Sequence, residues 1–174
     1  GKPLTEYKSE CRHGTAYTTI TSEYSKIKTA TTYFVPLDRY FECWLFKVTN
    51  NDSIKRNLRL FTFVEYANNW FMLQDFINLQ YTQAILSMDI ADNIIDHGIN
   101  VLLPDDTNGD LENHDGNRHT FLGAAGAKIT GYDTDRDVFL GPYRSYHNPL
   151  AVEKGECENS LARGDNGCGT LQMD

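Results

Sequence analysis

Alternation with a period of two residues is the feature that most limits how this chain can fold. Across residues 41–49, Phe41, Cys43 and Leu45 fall on one side and Glu42, Trp44, Phe46 and Val48 on the other. Apolar side chains on both sides predict an interior strand covered on each face. Across residues 58–66, Leu58, Leu60, Thr62 and Val64 lie opposite Arg59, Phe61, Phe63 and Glu65. The polar run Asn50-Asn51-Asp52-Ser53 between them has turn composition, so the pair predicts an antiparallel hairpin. Residues 26–35 are rich in β-branched and aromatic side chains and stop at Pro36, which reads as another strand. Residues 16–20, 84–90, 120–125 and 128–132 read as shorter strands, the last two joined at Gly126. Residues 92–117 are polar and read as a loop insertion. Residues 68–83 fit neither period and read as a long ordered loop or a short helical turn. With no internal repeat and no linker, residues 1–174 predict an all-β fold, part of one antiparallel β-sandwich with long loops. The last residues read as a strand cut short. The whole chain reads as an excerpt of a longer protein, incomplete at both ends.

A chain of 174 residues with 40% apolar and 23% charged residues is long enough for a sizeable soluble core. Lys plus Arg is 16 and Asp plus Glu is 24, a formal charge of −8. That balance argues against nucleic acid or an anionic membrane as partner, since both are met by basic patches. No segment approaches the roughly 20 apolar residues that span a bilayer, and no signal-peptide core opens the chain, which in an excerpt says little about location; a cytoplasmic location is expected with the family reading below. Cys11, Cys43, Cys157 and Cys168 form no C-x-x-C pair. Cys157 and Cys168 have a spacing that permits a bridge, but low cysteine density favours reduced thiols.

Few residues carry a specific chemical signal. The acidic loop from Asp105 to Glu112 fails as an EF-hand, because a loop begun at Asp106 puts Leu111 where glycine is needed and Asn117 where glutamate is needed. No metal site is expected. The histidines lack the i, i+4 spacing of a helical metal site, and Ser145 and Ser160 lack a nucleophile elbow. Asp133, Asp135 and Asp137 would share one face of a strand, about 6.6 Å apart in sequence neighbours. Carboxyl pairs that cleave glycosides stand roughly 5 to 10 Å apart, so the spacing permits acid–base work. Arg136 between them and Phe139 and Leu140 beside them favour a structural ion cluster instead. Trp70, Phe71, Asp75, Asn78, Gln80 and Tyr81 combine aromatic faces with amide and carboxylate groups, the mixture that reads a sugar. For the aromatics, plugging the end of a sandwich core is the simpler reading.

Five blocks occur in a fixed order: Cys11-Arg12-His13-Gly14-Thr15-Ala16-Tyr17; Tyr33-Phe34-Val35-Pro36-Leu37; Phe61-Thr62-Phe63-Val64-Glu65-Tyr66; Asp135-Arg136-Asp137-Val138-Phe139-Leu140-Gly141; and Asn148-Pro149-Leu150-Ala151-Val152-Glu153-Lys154-Gly155, followed by Cys157 and Asn159-Ser160. Together they resemble the N-terminal β-sandwich of the inverting disaccharide phosphorylases (cellobiose, cellodextrin and chitobiose phosphorylases, glycoside hydrolase family 94). The resemblance implies a homodimeric hexosyltransferase whose catalytic (α/α)6 barrel, C-terminal to the sandwich, is absent from this chain. It implies reversible phosphorolysis of β-linked gluco-oligosaccharides, with inorganic phosphate as co-substrate, glucose 1-phosphate as product and no cofactor. The general acid is a barrel aspartate, so no catalytic residue is assigned here, and these residues alone are expected to be inactive. In this family a sandwich loop with an N-x-Q pattern reaches the acceptor side of the neighbouring subunit's site. Asn78-Leu79-Gln80 matches it, which implies Asp75, Asn78, Gln80 and Tyr81 as substrate-binding residues. Tyr81 stands where cellobiose phosphorylases usually have arginine, which puts cellodextrin ahead of cellobiose, with laminaribiose and chitobiose types behind. The alternative is a free-standing carbohydrate-binding β-sandwich module without catalysis.

Overall fold

The computed structural model describes residues 7–66, 86–99, 102–104, 111–113, 119–164 and 166–174. They form antiparallel sheets with two short helices, and the chain divides into two compact units, Lys2–Asn57 and Leu58–Asp174.

The smaller unit is a four-stranded meander of β1 (Lys8–His13), β2 (Tyr17–Tyr24), β3 (Ile27–Phe34) and β4 (Cys43–Asn50), in that order across the sheet. β2 and β3 join through Ser25 and Lys26, both at positive φ (49° and 64°), a two-residue connection whose twist matches the strands. Register pairs Tyr33 with Trp44 and Thr19 with Thr32, and both pairs interact: the rings meet edge to face at 5.7 Å and the hydroxyls bond at 2.9 Å. Asp52 closes the turn after β4, accepting from Lys26 Nζ at 3.2 Å and Arg56 Nη2 at 2.9 Å.

Two expectations fail here. β4 is an edge strand, with Leu45 66% and Trp44 42% exposed, so it is not the doubly covered strand its apolar content implies. It also forms no hairpin with residues 58–66. β4 pairs along its whole length with β3, whereas β5 (Leu60–Phe61) joins the larger unit. The true partner of residues 60–64 lies more than a hundred residues on, beyond the reach of local patterning.

In the larger unit β6 (Leu86–Ala91), β7 (Ile94–Ile99) and β10 (His119–Gly123) form one sheet in the order β10-β7-β6. A short pair, β8 (Leu102–Pro104) and β9 (Leu111–Asn113), lies between β7 and β10 in sequence. A second sheet has the order β11-β12-β5, with β11 spanning Ile129–Asp135 and β12 spanning Gly167–Met173. Residues 92–117 are therefore not a plain insertion. Asp92 and Asn93, at φ 50° and 65°, make a two-residue turn into β7, the central strand of its sheet. The strands on either side of Gly126 enter different sheets and do not pair.

The two sheets enclose a core of Leu86, Met88, Ile95, Leu171 and Met173, with Leu60, Ile90, Leu122, Ile129 and Tyr132 around it. β12 is buried at every position. Its other face, through Cys168, meets Phe139 and Ala151 of helices α1 (Arg136–Leu140) and α2 (Leu150–Lys154). The alternation of residues 58–66 holds, with Leu60 in the inter-sheet core and Phe61 and Phe63 in the helix-side cluster. The final residues form a seven-residue strand, Gly167–Met173.

His97 lies in this core, 3% exposed, its ring stacked on Tyr66 at 4.6 Å and 4° and its Nδ1 2.8 Å from Thr120 Oγ1. Burial pushes the imidazole pKa down to about 4, against a smaller upward pull from Asp96. The unfolded chain therefore binds a proton at His97 that the folded chain refuses. Stability should fall as pH drops from about 6.5 to about 4, by an amount on the order of 3 kcal/mol when complete. Urea midpoints measured across that range, compared with His97→Gln, check this: the variant should lose that part of the pH dependence.

Candidate functional site

The sequence places the substrate-reading residues at Asp75, Asn78, Gln80 and Tyr81, with Trp70 and Phe71 upstream. All six lie outside the described residues. What the structure does show is how the chain is held on either side of residues 67–85. On one side Val64 bridges Gly169, with its N–H donating to Gly169 O at 3.0 Å and its carbonyl accepting from Gly169 N at 2.8 Å. On the other, Leu86 is in the core, its carbonyl accepts from Gly164 N at 3.1 Å, and Met88 N donates to Ala162 O at 3.3 Å. Both flanks are thus tied to β12 or to the residues just before it.

The three aspartates of residues 133–137 separate by role. Asp133, fully buried, accepts from Glu158 N at 3.2 Å, Ser160 N at 3.0 Å and Ser160 Oγ at 2.7 Å. Thr134 continues the tie: its Oγ1 donates to Ser160 O at 3.2 Å and accepts from Ala162 N at 2.8 Å. Asp135 caps α1, accepting from Asp137 N at 2.9 Å and Val138 N at 3.2 Å, as an aspartate at that position does best. Asp137, in the first turn of the helix, accepts from Asn166 Nδ2 at 3.0 Å. The three carboxyls do not line one strand face, because the strand ends at Asp135 and a helix follows. They are structural groups, as the intervening arginine suggested.

These bonds explain why the two late motifs occur together. Residues 133–135 are fastened to residues 158–162, and α2 returns between them. Gly141, at φ 82°, passes so close that a Cβ there would sit 2.7 Å from Leu150 Cβ. Arg144 forms an ion pair with Glu153 of α2. Gly155 ends α2 in the left-handed conformation at φ 76°, and its carbonyl accepts from Arg59 Nη1.

A polar cluster that the sequence did not single out lies beside this frame. Glu65 Oε1 accepts from Tyr146 Oη at 2.6 Å and from Arg136 Nη1 at 3.2 Å. Arg136 also approaches Asp137, at 3.7 Å. Tyr146 leans edge-on against Phe63 at 5.6 Å, and Phe63 stacks on Phe139 at 5.2 Å. The signal available in sequence was Glu65, a charge at the end of an apolar strand, but nothing local pointed to Arg136 and Tyr146 as its partners.

Cys157 and Cys168 are buried and free, so no disulfide closes the loop between them. Burial raises both thiol pKa values, that of Cys168 to about 12, which leaves them unreactive at neutral pH. Among the described residues no group of His, Cys, Asp and Glu side chains is arranged to hold a metal ion. Among them, too, no helix is long and apolar enough to cross a membrane.

The fold and the motif frame define an antiparallel β-sandwich domain with a helical cover on one sheet. The chain belongs to the family described as glycosyl hydrolase 94, supersandwich domain, whose model matches residues 2–174. It is similar to an N,N'-diacetylchitobiose phosphorylase of Vibrio proteolyticus, with 30% identity over 172 residues, 98% of this chain and 20% of that protein. A protein of the same description from Vibrio furnissii is 28% identical over 182 residues, with the same coverage. A solabiose phosphorylase of Paenibacillus borealis is 29% identical over 163 residues, covering 93% of this chain and 19% of that protein. The chain therefore spans about a fifth of the length of the curated relatives it matches.

The Asp133 lock gives a direct prediction. Asp133→Ala leaves the part-buried N–H groups of Glu158 and Ser160 without their acceptor and empties a buried site, and should cost about 2 to 3 kcal/mol, from roughly 1 kcal/mol or more for each donor left unpaired. Ser160→Ala, which removes one hydroxyl donor and leaves the carboxylate its backbone donors, should cost about 1 kcal/mol. Chemical denaturation of both variants measures the difference.

Proposed function

We propose that this chain is the supersandwich part of a longer inverting glycoside phosphorylase that acts on a β-linked di- or oligosaccharide. The observation that carries this reading is the family match over residues 2–174, together with relatives that are named phosphorylases and are about five times as long. In the reaction a phosphate oxygen bonds to the anomeric carbon as the glycosidic C–O bond breaks. A general acid hands its proton to the departing sugar oxygen. Attack from the opposite face turns a β-linkage into an α-sugar 1-phosphate. No residue of this chain is assigned to bond making or breaking, and these residues alone are inactive. Inorganic phosphate is a co-substrate and no cofactor is required.

The chain's own contribution is twofold: contacts within a cytoplasmic homodimer and with the parent's barrel domain, and an acceptor-side surface from Asp75, Asn78, Gln80 and Tyr81 offered to the neighbouring subunit. The amides and carboxylate read hydroxyls, and the Tyr81 ring covers the apolar C–H face of a pyranose. Tyr81 in place of arginine favours acceptors other than glucose alone. Cellodextrins, N,N'-diacetylchitobiose and solabiose, the last two taken from the relatives' descriptions, form the substrate panel.

In the longer enzyme, Gln80→Ala and Tyr81→Ala should raise the acceptor KM roughly threefold to tenfold, the loss of about one hydrogen bond or ring contact. The synthetic direction, with sugar 1-phosphate as donor, measures it. An unchanged acceptor KM in both variants rejects the acceptor role. Saturable sugar binding by an isolated, folded 174-residue chain would instead favour a free-standing binding module.

A further inference from the structure

We propose that the four-stranded meander carries an oxyanion site on one face, a cleft that takes the phosphoryl group of inorganic phosphate or of a sugar phosphate between Lys28 and Lys47. The proposal does not depend on the acceptor role of residues 75–81.

The cleft has a volume of about 430 Å³ and is lined by Thr21, Lys28, Ala30, Lys47, Thr49 and Asn51. That volume lies in the range of small-molecule sites. The register puts Thr21 and Lys47 on either side of Ala30, with Thr49 opposite Lys28, so the lining groups share one sheet face. Ala30 contributes a single methyl group and forms a low floor among longer neighbours. Lys28 and Lys47 are diagonal neighbours across β3 and β4, roughly 7 to 8 Å apart at the backbone. Two long, flexible stems at that spacing bring both ammonium groups onto one ligand.

The neighbouring groups of this unit are partnered and those of the cleft are not. Arg12 pairs with Glu10, and Lys26 and Arg56 pair with Asp52. Thr19 and Thr32, one step along the same face, bond each other at 2.9 Å. Among the described residues Lys28 and Lys47 make no ion pair, and the side chains of Thr21, Thr49 and Asn51 make no hydrogen bond. Glu23 stands opposite Lys28 in the register but does not line the cleft. In a chain of formal charge −8, this is a local reversal of sign. Two like charges held side by side repel, and an anion between them removes that cost.

The donor set selects the anion. A carboxylate has one charge on two coplanar oxygens and is best matched by the planar arginine fork. A phosphoryl group carries close to two charges on three oxygens. Two ammonium point charges with two hydroxyls and an amide suit the second. Neutral donors that the phosphoryl oxygens leave over serve sugar hydroxyls.

The test is methyl NMR on the full-length enzyme, with labelled alanine and threonine, so that Ala30, Thr21 and Thr49 report the cleft itself. Inorganic phosphate and glucose 1-phosphate should each shift these signals saturably below roughly 10 mM, enough to fill a millimolar site. Glucose alone, and sodium chloride at matched ionic strength, should not. Equal affinity for the two anions shows that the phosphoryl group alone is read, and tighter glucose 1-phosphate shows that the sugar is read as well; both support the site. Lys28→Gln and Lys47→Gln should each weaken binding about threefold to tenfold. Lys8→Gln, a cation on the same face outside the cleft, should change it by less than about twofold. Thermal midpoints should hold in all three variants, since each replaces an exposed side chain. No saturable shift with either anion, shifts reproduced by chloride, unchanged affinity in both cleft variants, or equal weakening by Lys8→Gln would each overturn the proposal.

Discussion

Strand β12 is the member on which the larger unit depends. It is buried on both faces and hydrogen-bonded on both edges, to β11 on one side and to residues 60–64 on the other. Leu171 and Met173 fill the space between the sheets, and Cys168 fills the space beneath the helices. A strand in that position must be small where backbones approach and apolar where cores meet, and Gly167-Cys168-Gly169-Thr170-Leu171-Gln172-Met173 meets both conditions. Its polar members are each paired: Gln172 Nε2 donates to Thr130 Oγ1 at 2.9 Å, and Gln172 Oε1 accepts from Cys157 N at 2.7 Å. Burial of polar groups is thus compensated where it occurs.

The two late motifs add a second constraint on the same strand. Asp133 and Thr134 leave β11 and bond residues 158–162, so that α1, α2 and their connection are folded back over β12. Asp133 and Asp135 are both engaged in holding the fold. Asp133 has its oxygens occupied by Glu158 and Ser160, and Asp135 is spent on the helix cap.

Strand content and the all-β class were legible because alternation is a local signal. β2, β3, β6 and the outward–inward order of residues 58–66 follow from it directly. Pairing was not legible, because β5 finds β12 across more than a hundred residues and local pattern carries no partner information. β7 was missed although Asp92-Asn93 between two apolar runs is a hairpin signal, since the polarity of the following residues outweighed it. The helices were hidden for another reason. At five residues each they show too little of a 3.6 period, and the cap at Asp135 reads equally well as a strand end. Of the candidate site, Asp75, Asn78, Gln80 and Tyr81 came from motif resemblance, while Glu65, Arg136 and Tyr146 needed three-dimensional neighbours to be seen.

We propose that the domain built around β12 contributes residues 67–85 to the acceptor side of the longer enzyme. Hydrogen exchange read by mass spectrometry on the full-length enzyme, with and without saturating acceptor, tests it most directly. The account predicts slowed exchange in peptides covering residues 67–85 when acceptor is present, with β12 peptides slow in both states. Exchange in residues 67–85 that is indifferent to acceptor, while enzyme turnover shows that the sugar is bound, would contradict it.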